Sequence, residues 1–168
     1  IFQSVLTEFD ANSGNLENIK RFDNNSSYSN AFPSAVGYGR SAHMAEKNNY
    51  LYILTSFRNS MSFPNATITS STYYNGNYYS EELVLFKMNL LDFSSEFILK
   101  SQGVQNLPNY VTDLPGPILF NNDDLYLTAT FGSTPMQING ATINNNSGNN
   151  NPDAMLYKYN LTSTDTKY

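Results

Sequence analysis

The chain has no cysteine, no tryptophan and a single histidine, and charged residues make up only 14% of its 168 positions, against roughly 25% in an average soluble domain. Without Cys there is no disulfide and no thiolate metal site. With His43 as the only imidazole, a zinc site or a His-based triad lacks its customary partners, and His43 reads as strand surface. No apolar run approaches the ~18 residues a membrane-spanning helix needs. Basic residues are scarce: nine Lys and Arg against fourteen Asp and Glu, a formal charge of −5 and a pI near 4.6. The nearest thing to a basic cluster is Lys20–Arg21, so neither nucleic acid nor an anionic membrane is an expected partner. No window shows helical periodicity. The chain opens on Ile1 with no signal peptide before it, which reads as a processed chain, an excised fragment or part of a longer one.

What replaces charge is amide and hydroxyl: 25 Asn, with 32 Ser and Thr beside them. A surface solubilised in this way is common outside the cell, so an extracellular or cell-surface location is expected; an AT-rich genome would also inflate Asn, Tyr, Ile and Phe. The length suits one domain, or a few small repeats sharing a core.

One stretch organises the rest, and it occurs twice. Residues 48–57, NNYLYILTSF, recur as NDDLYLTATF at 122–131, displaced by 74 positions. Leu51, Tyr52 and Phe57 return as Leu125, Tyr126 and Phe131. Each copy opens on an Asn/Asp turn and enters a run whose side chains alternate between two faces, neither properly polar. The strand is therefore expected inside a sheet, covered on both sides. Ala-Thr-Ile at 66–68 recurs at 141–143, and Leu85, Lys87 and Asn89 recur as Leu156, Lys158 and Asn160. Near the beginning, Leu6, Phe9 and Asp10 fall on the same template, 79 positions before Leu85, Met88 and Asn89.

The pattern divides the chain into a half-repeat at 1–22, a polar linker at 23–38, one whole repeat at 39–100, a Pro-containing linker at 101–112 and a second repeat at 113–168. Within the half-repeat, IFQSVLTEFD alternates, ANSG turns with Gly14 free to take positive φ, and NLENIKRF returns. Strands are expected at 39–46, around 60–72, at 82–89 with a hairpin partner at 96–100, at 137–143 and at 153–160. Short strands with turn signals every ten or so residues define an all-β chain.

The order Asp/Asn, aromatic–aliphatic–Thr, small-residue turn, AT-I, then acidic–x–aliphatic–aliphatic–x–Lys–aromatic–Asn resembles the seven-bladed β-propeller-type repeat of secreted bacterial proteins. Both whole copies carry it, and VLTEFDANSGN at 5–15 resembles its closing half, with Glu8 where that repeat has Lys. The resemblance implies stacked four-stranded antiparallel sheets. Two and a half copies are too few to close a ring of four to eight blades. The family shares an architecture and no activity, so no catalytic residue follows from it. Long Asn-rich insertions and the missing glycines and Trp depart from it.

Candidate chemistry is sparse. Glu81–Glu82 and Asp123–Asp124 are adjacent pairs whose members point to opposite faces of a strand, so neither pair converges on a substrate. They read as turn residues before strands. The run 121–124, NNDD, lacks the spaced acidic ligands of a calcium loop. No metal, cofactor or enzymatic activity is expected. Tyr73, Tyr74, Tyr78 and Tyr79 lie in a loop with Gly76 and form a candidate contact patch for protein or sugar. Asn24, Asn25, Asn65, Asn145 and Asn160 are N-glycosylation acceptors by sequence. About five such sequons arise by chance in so Asn-rich a chain, and Asn65 and Asn145 are the best placed.

The expected function is structural. An extracellular subunit or tandem module would assemble head to tail with copies of itself, into a filament or surface layer, by β-strand complementation. The donated strand is expected at residues 1–10, with Ile1, Phe2, Val5, Leu6 and Phe9 as its apolar contacts. The alternative is a carbohydrate- or protein-binding module of a larger secreted propeller-type protein, using the tyrosine loop.

Overall fold

The structure, a computed structural model, describes residues 4–22, 42–57, 60–73, 78–79, 81–103, 113–132, 135–146 and 152–161. All regular elements among them are strands: β1 (Ser4–Phe9), β2 (Leu16–Phe22), β3 (His43–Lys47), β4 (Tyr50–Phe57), β5 (Ser60–Phe63), β6 (Ala66–Thr69), β7 (Thr72–Tyr73), β8 (Tyr78–Tyr79), β9 (Glu82–Asn89), β10 (Ser95–Gly103), β11 (Leu114–Asn121), β12 (Asp124–Phe131), β13 (Met136–Ile138), β14 (Ala141–Ile143) and β15 (Asp153–Asn160). The fold is all-β and antiparallel, with no closed barrel or ring among the described residues.

The first repeat is a meander of four neighbouring strands, β3, β4, β9 and β10, and the second runs β11, β12, β15. Sequence predicts four strands in each. Among the described residues the sheet of the second copy has three, while the first sheet grows to six because β13 and β14 of the second copy add to the edge of β10. Of the connector expected at 101–112, residues 101–103 belong to β10. The linker expected at 23–38 lies outside the described residues.

Turn chemistry sets the hairpins. Asn48 and Asn49 both take positive φ (54° and 64°) between β3 and β4, and Asn139 and Gly140 do so (46° and 78°) between β13 and β14. Two successive left-handed residues match the right-handed twist of the strands they join, and Asn and Gly reach that region at least cost. Gly116, in β11, answers to a different need. A Cβ there would lie 2.5 Å from the Thr128 hydroxyl oxygen on the paired strand, beside the register shift between Pro115 and Ile118.

The two copies superpose in register. Pairing of β4 with β9 runs from Tyr50↔Asn89 to Phe57↔Glu82. Pairing of β12 with β15 runs from Asp124↔Asn160 to Phe131↔Asp153. Each residue of the repeated text thus meets its repeated partner. The β1–β2 hairpin reproduces the end of the same unit. Its turn closes with Asp10 N donating to Asn15 O at 2.9 Å and Gly14 N to Asp10 O at 2.8 Å. At the β9–β10 turn, Asn89 N donates to Ser94 O at 2.8 Å and Phe93 N to Asn89 O at 2.9 Å. Gly14 and Phe93 sit at the same left-handed position, φ 69° and 59°. The two turns match, while the register shift falls between Glu8 and Phe9 in the hairpin and between Phe97 and Leu99 in the β9–β10 pair.

Packing follows one rule. Tyr52, Leu54, Leu83, Leu85 and Leu99 project from one face of the first sheet onto Ile118, Leu125, Leu127, Ala129, Phe131 and Met155 of the second. Because Leu125 and Phe131 answer to Leu51 and Phe57, the second copy docks with the face whose counterpart in the first copy points away. The two sheets are stacked facing the same way, head on tail. The first sheet's other face carries Ile53, Phe57, Val84 and Phe86 and is covered by Met61 and Ile68 of the β5–β6 hairpin. Among the described residues, coverage on both sides is therefore found for the first copy alone. In the second, Leu119 and Leu156 are left in solvent on the outer face.

Leu85 is 0% exposed and its counterpart Leu156 is 69% exposed, so the same residue at the same repeat position should behave oppositely. Leu85→Ala is expected to cost about 2–5 kcal/mol through cavity formation. Leu156→Ala should stay within about 0.5 kcal/mol. Denaturant unfolding of both variants checks this; equal losses would contradict the stacking.

Candidate functional site

The chemistry-bearing side chains gather at the two ends of β9. At its beginning, Glu81, Glu82 and Asp113 are all fully buried, with Ser56, Ser70 and Ser101 buried near them. Of the pair read as turn residues before a strand, Glu81 does precede β9, but Glu82 is its first residue. Strong apolar runs on both sides, LVLF after them and the packed β4 beside them, carry the pair inside. As expected, the two carboxylates diverge. Glu81 accepts from the Ser56 hydroxyl at 3.1 Å. Glu82 accepts from Ser71 N at 2.9 Å and from the Lys100 ammonium at 2.8 Å.

Asp113, a residue that the sequence analysis passed over, links the copies. One carboxylate oxygen accepts from Gly132 N at 3.1 Å, at the end of β12, and the other from the Ser101 hydroxyl at 3.4 Å, on β10. Ser101 in turn accepts from Leu83 N at 2.8 Å. Its one legible signal was a carboxylate standing directly before an apolar strand in a chain so poor in charge.

At the other end of β9 a cleft of about 240 Å³ opens between the sheets, lined by Tyr52, Lys87, Glu96, Phe97, Ile98, Tyr159 and Leu161. Lys87 bonds Glu96 at 2.9 Å and lies 5.0 Å from the Tyr50 ring centre. Burial pushes the Tyr52 and Tyr159 phenols up. Burial alone would lower the Lys87 ammonium, but the hydrogen bond and charge of Glu96 more than offset it and raise it. At neutral pH both phenols keep their protons and Lys87 stays cationic, so the trio offers hydrogen-bond donors and no base. Drug-sized ligand pockets occupy about 300–1,000 Å³, and this cleft falls short of that range.

The remaining predicted residues are scattered. Asp123 lies in the β11–β12 turn with Lys47 at 2.7 Å, and Asp124 pairs with Lys158 at 2.6 Å. Among the described residues no group of three or more His, Asp or Glu side chains is placed to hold a metal ion. His43, on the edge strand β3, is half-buried opposite Leu54. The Asn65 amide clamps β10, accepting from Phe97 N at 2.9 Å and donating to Phe97 O at 3.1 Å. Asn145 donates to Phe131 O at 3.2 Å, and Asn160 donates to Asp124 at 2.7 Å. Asn24, Asn25, Ile1, Phe2 and Tyr74 lie outside the described residues, as do the side chains of Val5, Leu6, Tyr73, Tyr78 and Tyr79. The backbones of the last three form the short β7–β8 ladder. No helix among the described residues is long and apolar enough to cross a membrane.

Comparison with protein-family models, with curated proteins and with solved structures finds no match to this chain.

Two charge pairs give separate tests. Lys100→Met strips a buried carboxylate of its cation and is expected to cost about 3–5 kcal/mol, much of it recovered by adding Glu82→Gln. Full additivity of the two losses would show that the pair does not interact. The Asp124 carboxyl is held below its ordinary value of 3.8, chiefly by the hydrogen bond from Lys158 and then by that from Asn160. A carboxyl depressed in the folded state contributes stability above its unfolded value and loses it as pH falls through the folded one. Asp124→Asn should thus lower the melting temperature at pH 7, with the gap closing below pH ~3.8; a gap that persists in acid would contradict this.

Proposed function

We propose that the chain is a non-catalytic structural module that works outside the cell. It stacks repeated β-sheets head to tail, neighbouring units completing one another's sheets with added strands. One observation carries the reading: β12 and β15 repeat the pairing register of β4 and β9, yet among the described residues no strand lies beside β15 in the place that β10 takes beside β9. Edge strands of this kind recruit further chains through their backbone groups. The donor is the N-terminal unit, which is a hairpin with β1 paired to β2. A surface rich in Asn, Ser and Thr and poor in charge supports the extracellular setting. The resemblance to propeller-type repeats agrees with stacked sheets of this kind.

Sedimentation velocity across a wide concentration range tests the proposal. The full chain should form an open-ended series of oligomers, and a chain lacking residues 1–10 should stay monomeric with both repeats folded. A full chain that is monomeric at every concentration, or a truncated one that assembles with unchanged morphology, would overturn it.

A further inference from the structure

Seven large apolar side chains are exposed among the described residues, and five of them fall on just two faces. Phe9, Leu16 and Ile19 form the first group. They share one face of the N-terminal hairpin, because Phe9 pairs with Leu16 and Thr7 with Ile19. The second group, Leu119 and Leu156, lies on the outer face of the β11–β12–β15 sheet with Tyr126 between them. There Leu119 pairs with Tyr126, which pairs with Lys158, and Leu156 pairs with Thr128.

The repeat identifies what each face is. Phe9 holds the position of Met88 in the first copy and of Tyr159 in the second. That is the side of the unit by which the second sheet docks onto the first. Tyr126 and Leu156 hold the positions of Tyr52 and Leu85, the side that receives the second sheet. Among the described residues, the hairpin therefore presents a docking face with nothing to dock on, and the outer sheet presents a receiving face with nothing docked. A two-stranded hairpin is marginal alone and is stabilised by packing its apolar face.

We infer that the two faces bind each other between copies: the Phe9–Leu16–Ile19 face of one molecule sits on the Leu119–Tyr126–Leu156 face of the next. The contact repeats the interface already made inside the chain between the first and second sheets. It joins unlike surfaces, so it does not close a two-fold dimer and propagates from copy to copy, into a ring where the rotation closes and an open filament where it does not. The inference rests on the head-to-tail assembly proposed above and lays the hairpin over the neighbour's sheet face, a contact distinct from pairing along its edge.

The test uses three double variants of the full chain, two on the docking face and one on the receiving face. Phe9→Lys/Ile19→Lys blocks the docking face, with Phe9→Thr/Ile19→Thr as a version that keeps β propensity in the hairpin. Leu119→Lys/Leu156→Lys blocks the receiving face. All four positions are exposed, so circular dichroism should match the wild type. Each variant alone should sediment as a monomer at concentrations where the wild type assembles. An equimolar mixture should form a 1:1 dimer of twice the 18.9 kDa chain mass, because each variant retains the face that the other lacks. If the wild type assembles but the mixture stays monomeric, or either variant assembles like the wild type, this contact is wrong while the structural role stands. If the wild type itself stays monomeric, both fall.

Discussion

The docking of one sheet's face on the opposite face of its predecessor is the contact on which the other features depend. It draws Tyr52, Leu54 and Leu85 together with Leu125, Leu127 and Phe131 in a single apolar layer. The contact is driven by removal of apolar surface from water, which has no directional preference of its own. Its direction comes from the strands, whose alternation assigns every second residue to a face and so fixes which side of each unit receives and which docks. Once that assignment repeats with the sequence, stacking is polar in the geometric sense: the pile has a beginning and an end that differ.

Around that layer the polar groups act as fasteners at the rim. Asp113 reaches both β10 and the end of β12, and Lys47 holds Asp123 in the turn of the second copy while lying 5.3 Å from the Phe120 ring centre. Tyr52 meets Phe120 edge to face, with ring centres 5.0 Å apart. Burying carboxylates as fully as Glu82 and Asp113 is costly unless their partners are fixed in advance. Glu82 is met within the first unit by Ser71 and Lys100, while Asp113 bonds strands of both sheets and so ties the one to the other.

Much of this was legible in the sequence wherever the determinants are local. The repeat could be read because Leu51, Tyr52 and Phe57 and their counterparts occupy fixed positions in a strand that an Asn/Asp turn opens; the single strand expected at 137–143 is instead two, β13 and β14, folded about Asn139 and Gly140. What could not be read is non-local. SFPNATI and QINGATI look alike, yet β5–β6 covers a sheet face while β13–β14 extends a sheet edge, a difference decided by what lies beside each. Leu85 and Leu156 are the same letter in the same motif with opposite burial, because one has a following sheet over it. The cleft around Lys87 and Glu96 joins β9 and β10 to the end of β15, a meeting that no local pattern encodes. Asp113 escaped notice because its partners, Ser101 and Gly132, lie far from it along the chain.

The pairing of β13 with β10, Ser101↔Ile138 to Gly103↔Met136, has a consequence for how the molecule comes into being. The upstream sheet reaches its full width only with a hairpin that belongs to the downstream unit. On a ribosome, that sheet stays incomplete until residues 136–143 have emerged, so the first unit cannot mature while the second is still being made. Unfolding is coupled in the same way, since losing the second unit strips the edge from the first. Simple repeat arrays melt or fray unit by unit as neighbour contacts allow; a shared strand pair of this kind favours one transition for the whole chain.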